Sequence, residues 1–71
     1  MYKLYFEDKW EKRHFIDDID DKEQAFAIFH QDLKNRYPNF KSYYTRSFPN
    51  EKGELIYDYG SHSEFYVLVK E

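Results

Sequence analysis

Between Asp58 and Phe65 the chain reads Asp-Tyr-Gly-Ser-His-Ser-Glu-Phe, two serines around a histidine with a carboxylate near each end. Those residue types could do acyl transfer, with a serine as nucleophile, the histidine as its base and a carboxylate orienting the base. Their spacing argues against it. Neighbours in an extended or turning segment project in different directions, so Ser61 and Ser63 are badly placed to share His62. No Gly-x-Ser-x-Gly elbow is present, and no glycine-rich backbone offers donors for an oxyanion. A turn asks for less: Gly60 supplies a positive φ, and the serine hydroxyls bond the exposed turn backbone. A hydrolase centred on His62 is therefore the weakest of three functional readings, and no catalytic residue is assigned.

The acidic run Asp17-Asp18-Ile19-Asp20-Asp21 invites a calcium reading. An EF-hand loop beginning at Asp18 needs glycine at its sixth position and glutamate at its twelfth. The chain has Glu23 and Phe29 there, and capping of a following helix explains the run more simply. His14, His30 and His62 lie far apart in sequence, none with a second ligand at metal-motif spacing. No metal and no cofactor is expected. Only Gly53 and Gly60 are available, too few and too isolated for a phosphate-cradling loop.

Two short stretches mix cations with rings, Lys9-Trp10-Glu11-Lys12-Arg13-His14 and Lys41-Ser42-Tyr43-Tyr44-Thr45-Arg46. Aromatic rings on a sheet flanked by cations hold single strands by stacking and charge. That makes single-stranded nucleic-acid binding through Lys12, Arg13, Lys41 and Arg46 the second reading. The balance of the whole chain weighs against it. Fourteen acidic against eleven basic residues give a net charge of −3, whereas a dedicated nucleic-acid binder is usually basic.

Seventy-one residues make one domain, near the lower size limit for an unstapled core. The absence of cysteine removes disulfides and thiolate metal sites, and fits a reducing compartment. The first residues lack a signal-peptide pattern, and the longest uncharged apolar run, Phe65 to Val69, is too short to cross a bilayer. A cytoplasmic protein with no membrane partner is expected. Aromatics form 23% of the chain, eight of them tyrosine and seven phenylalanine. Each ring buries a large area, so a small core can be built this way, and disordered chains are poor in such residues.

The elements follow from periodicity. Tyr2, Leu4 and Phe6 alternate with Lys3, Tyr5 and Glu7 as in a strand, and Lys12 to Asp17 returns as a second strand of a hairpin. Asp20 and Glu23 have the spacing of a capping box, followed by Ala25, Phe26, Phe29, Leu33 and Tyr37 at helical spacing. Lys34 and Arg36 close the last turn before Tyr37-Pro38, giving a helix over about 21–36. Strands are expected at Ser42 to Phe48, Leu55 to Tyr59 and Glu64 to Lys70, with a glycine turn over 49–53. The order ββαβββ describes an α+β domain, one helix packed on a mainly antiparallel sheet that ends in a three-strand meander.

The natural register of the last hairpin pairs Tyr57 with Tyr66, Leu55 with Leu68 and Ile56 with Val67. The face bearing Ile56, Phe65, Val67 and Val69 is expected to meet the helix. The face bearing Leu55, Tyr57, Tyr59, Tyr66 and Leu68, extended by Tyr5 and Tyr44, is then expected to face outward. Exposed tyrosine-rich surface marks interaction sites, so the first reading is a non-enzymatic module that binds a protein partner or a second copy there.

The segment Tyr57-Asp58-Tyr59-Gly60-Ser61-His62-Ser63-Glu64-Phe65-Tyr66 resembles the C-terminal ends of small uncharacterised proteins encoded by phages and prophages of Gram-positive bacteria. The chain is similar to them in style too: short, acidic, cysteine-free and aromatic-rich. The resemblance implies a cytoplasmic accessory protein that acts by binding host or phage components. It carries over no functional residues.

Overall fold

The computed structural model describes residues 1–39, 46–61 and 63–71. Five strands and one helix follow in the order β1 (Tyr2–Glu7), β2 (Arg13–Ile19), α1 (Lys22–Arg36), β3 (Arg46–Pro49), β4 (Leu55–Asp58) and β5 (Phe65–Lys70). All pairings are antiparallel, in the spatial order β2-β1-β5-β4-β3. The expected ββαβββ arrangement is the one found. The first and last strands pair at the centre of the sheet, Leu4 opposite Leu68 and Phe6 opposite Tyr66. The C-terminal hairpin keeps the expected register of Leu55, Ile56 and Tyr57 against Leu68, Val67 and Tyr66. Part of the expected third strand, Ser42 to Thr45, lies outside the described residues.

Helix α1 begins one residue later than a cap at Asp20 would require. Asp21 is the N-cap: its extended backbone (φ −131°, ψ 128°) precedes the first turn, and its Oδ1 accepts the Glu23 N–H at 3.0 Å. That start turns Ala25, Phe29 and Leu33 toward the sheet and leaves Phe26 and Tyr37 exposed, although both carry the helical spacing. Strand β2 runs on to Ile19 because that side chain is buried in the core. An irregularity in the β1–β2 pairing opposite Leu4 and Tyr5 leaves Ile16 unpaired and packed on the core edge.

The core between sheet and helix consists of Leu4, Phe6, Ile19, Ala25, Phe29, Leu33, Tyr57, Tyr59, Tyr66 and Leu68, with Leu55 partly buried beside them. The Phe29 ring lies 4.8 Å from that of Tyr57 and 5.0 Å from that of Tyr66, centroid to centroid. This reverses the expected facing of the sheet: the tyrosine-rich face is covered by the helix. The cause is the strand beside it. Once β1 pairs with β5, the tyrosine face gains Leu4 and Phe6, while the other face gains Lys3 and Glu7, whose charges would be costly beneath a helix. Tyrosine suits the buried face because its hydroxyl can reach the rim of the helix–sheet gap. Tyr66 donates to Asp32 Oδ2 at 2.6 Å, and Tyr37 and Tyr59 both donate to Glu64. Burial raises the hydroxyl pKa of Tyr57, Tyr59 and Tyr66 above the usual tyrosine value, and Asp32 adds to the effect at Tyr66.

Candidate functional site

The face turned away from α1 can be read from the register. Its middle row runs across all five strands as Phe15, Tyr5, Val67, Ile56 and Phe48. Phe65 and Val69 extend the apolar surface along β5 above and below Val67, so the patch has the outline of a cross. Antiparallel sheets commonly leave one face to water, but such a face normally alternates to polar residues. Here Phe15 is 54% and Phe48 37% exposed at the two ends of the row, while Val67 and Ile56 between them are buried. The Tyr5 and Phe15 rings meet edge to face at 5.8 Å.

Charges occupy the quadrants of the cross. Lys3 Nζ lies 3.5 Å from Asp18 and over the Phe15 ring, and Arg46 bonds Asp58 at 3.3 Å and lies over the Phe48 ring. The strongest group spans the face. Arg13 donates to both oxygens of Glu54, at 2.7 and 2.9 Å, and through Nε to Glu7 at 3.0 Å. Asn50 Nδ2 donates to Glu54 Oε1 at 2.8 Å. Arg13 opens β2 and Glu54 immediately precedes β4, three strand spacings away and at the opposite end of the sheet. In a flat sheet they would be roughly 20 Å apart at about 4.8 Å per strand and 3.4 Å per residue. Right-handed twist lifts diagonal corners toward one face, and this pair clasps two such corners. The two donors hold the Glu54 carboxyl down to about 2, from an ordinary 4.5, and Glu54 with Glu7 raises the Arg13 guanidinium in turn.

Several residues of interest in the sequence have other positions. Tyr57, Tyr59, Tyr66 and Leu68 are core, Leu55 is partly buried with them, and Tyr5 alone of that set lies on the open face. Tyr44, Lys41 and His62 lie outside the described residues. Of the cations considered for nucleic acid, Arg13 is held by two carboxylates and Arg46 by one, while Lys12 is exposed. Ser61 serves its turn: its Oγ accepts the N–H of Glu64 at 3.1 Å and that of Ser63 at 3.4 Å. Gly60 has the positive φ expected of it, 103°. His14 Nε2 is 2.8 Å from Asp8 Oδ2, and His30 stacks beside Phe29, with burial lowering its pKa. Among the described residues no group of three metal-ligating side chains gathers, and no helix is long and apolar enough to cross a membrane.

The sheet edges are blunted. On β2 the Asp18 N–H is taken by the Asp17 carboxylate at 2.9 Å, next to the irregularity, and β3 ends in proline. Strand addition is thus less suited to this molecule than contact through the open face. Compared with known proteins, the chain matches no family model, and no curated protein or solved structure matches it significantly.

Phe15 and Phe48 did not stand out as interaction residues in the sequence. The available signal was the alternation of β1, where Lys3, Tyr5 and Glu7 form a mixed face and Leu4 and Phe6 an apolar one. Extending that contrast across the sheet requires knowing which strand lies beside β1.

Proposed function

We propose that this chain is a non-enzymatic interaction module that binds a protein partner through the open face of its sheet. The observation that supports this reading is the pair of exposed rings, Phe15 and Phe48, at the two ends of a row on the face turned away from the helix, where polar residues would serve a lone domain. Aromatic side chains ringed by charge are the usual composition of a contact core and rim. The resemblance of the C-terminal segment to phage and prophage proteins fits a cytoplasmic accessory that binds host or phage components. The nucleic-acid reading is less favoured because Arg13 and Arg46 are already paired with carboxylates.

The test is Phe15→Lys combined with Phe48→Lys, compared with wild type by light scattering at two concentrations and by affinity capture from lysate. The expected result is loss of the captured proteins, or of any dimer, with an unchanged melting temperature. Identical capture and mass for the double variant would refute the reading. Salt-sensitive binding of a single-stranded oligonucleotide would replace the protein partner with nucleic acid.

A further inference from the structure

Two of the hairpin turns of this chain, β1–β2 and β3–β4, follow one hydrogen-bond plan, so each is a control for the other. In the first, Asp8 N–H donates to Lys12 O at 2.9 Å and Glu11 N–H to Asp8 O at 3.0 Å. Asp8 Oδ1 accepts from the N–H of Trp10 at 2.9 Å and of Lys12 at 3.0 Å. In the second, Asn50 N–H donates to Glu54 O at 2.9 Å and Gly53 N–H to Asn50 O at 3.1 Å. Asn50 Oδ1 accepts from the N–H of Lys52 at 3.0 Å and of Glu54 at 2.9 Å. Trp10 thus occupies the place of Lys52, and Glu11 the place of Gly53. Both of the latter positions are left-handed, with φ 63° at Glu11 and 79° at Gly53.

The second turn carries what folding prefers, a solvated lysine at the tip and glycine where φ is positive. The first departs at both positions. Trp10 leaves 73% of its surface in water, and among the described residues only the Lys9 ammonium lies over its ring, at 5.2 Å. Glu11 takes a strained backbone, and its carboxylate has no bond among the described residues. Lys9 and Lys12 form no ion pair among those residues either. Local choices that oppose folding with no compensating contact are the mark of a functional site.

We propose that the Lys9–Lys12 tip is a docking site whose Trp10 enters an apolar pocket of a protein partner rimmed by carboxylates. Tryptophan is the most enriched residue at the energetic centres of protein contacts. The turn backbone is already hydrogen-bonded, so little ordering remains to oppose binding. Lys9 and Lys12, without an ion pair among the described residues, outnumber the Glu11 carboxylate between them and so select an acidic rim. Phosphate tracking would need a longer row of free cations, and the adjacent Arg13 is occupied by Glu7 and Glu54. This inference is independent of the open face.

The test places a photo-crosslinking phenylalanine at Glu11, beside Trp10, or, as control, at Glu51 of the other turn, in lysate of the cells that encode the chain. Expected is a discrete protein adduct from position 11, absent from position 51. Excess unlabelled wild type should suppress it at least ten times more effectively than Trp10→Ala, which should melt like wild type. The identified partner should then blue-shift the emission of Trp10, the single tryptophan of the chain. The premise has its own check: Glu11→Gly should raise the melting temperature. The proposal is overturned by no adduct at position 11, by equal adducts at 11 and 51, by equal competition from Trp10→Ala, by a nuclease-sensitive adduct, or by destabilisation in Glu11→Gly.

Discussion

The Arg13–Glu54 clasp makes a prediction that can be worked through. Glu54→Gln keeps the shape and the acceptor for Asn50 but removes the charge that Arg13 grips. Lowering a carboxyl from 4.5 to about 2 corresponds to about 3 kcal/mol at about 1.4 kcal/mol per unit. The Glu54 side chain is 14% exposed and that of Arg13 30%, so water and salt screen the pair, and about 2 kcal/mol is the expected effect. For a domain of this size that lowers the melting temperature by roughly 8–15 °C at pH 7. The folded-state value is depressed, so the stabilisation is present above about pH 4.5 and is lost as pH falls toward 2. Urea unfolding of both proteins from pH 7 to pH 2.5 follows it. The gap between them should shrink by about half near pH 3. Equal stability at pH 7, or a gap that does not change across that range, would show that the clasp does not hold the corners of the sheet together.

Three further outcomes are expected. Asp21→Ala should cost about 1 kcal/mol by thermal melting, through loss of the Glu23 N–H bond, while Asp20→Ala should change little. Equal effects would displace the cap. Gly53→Ala should cost about 1 kcal/mol through its left-handed φ alone, since nothing lies within 4 Å of an added Cβ. Above pH 10, stability should fall as the raised values of Tyr57, Tyr59 and Tyr66 are approached, because the unfolded chain ionises first. Ultraviolet titration should find these tyrosines ionising only with unfolding, and Tyr66→Phe should cost about 1–2 kcal/mol by freeing Asp32 of its hydroxyl partner. Reversible ionisation of every tyrosine near pH 10 would place them at the surface.

Where the sequence spoke through local geometry it spoke well. The alternation of β1, the acidic entry and basic exit of α1, and the glycines at 53 and 60 each act within a few residues of themselves. The errors were small where the cause was local: two adjacent aspartates competed for one cap, and Phe26 shares the helical spacing of the core residues but sits at the margin of the buried stripe. The pairing of Asp8 with Asn50 as equivalent turn residues was hidden because Glu11 stands where a glycine would have announced the second copy.

By itself the sequence determined the element order, the C-terminal register and the serine-capped turn, since these depend on side-chain period, caps and turn backbone. Only the tertiary structure decided that β1 lies between β2 and β5, and with it which face the helix covers. A face is covered according to the sum of all strands that share it. Tyr66 and Leu68 went inward because Leu4 and Phe6 arrived beside them, and Phe15, Tyr5 and Phe48 stayed outward because Lys3, Glu7 and Arg13 came with them.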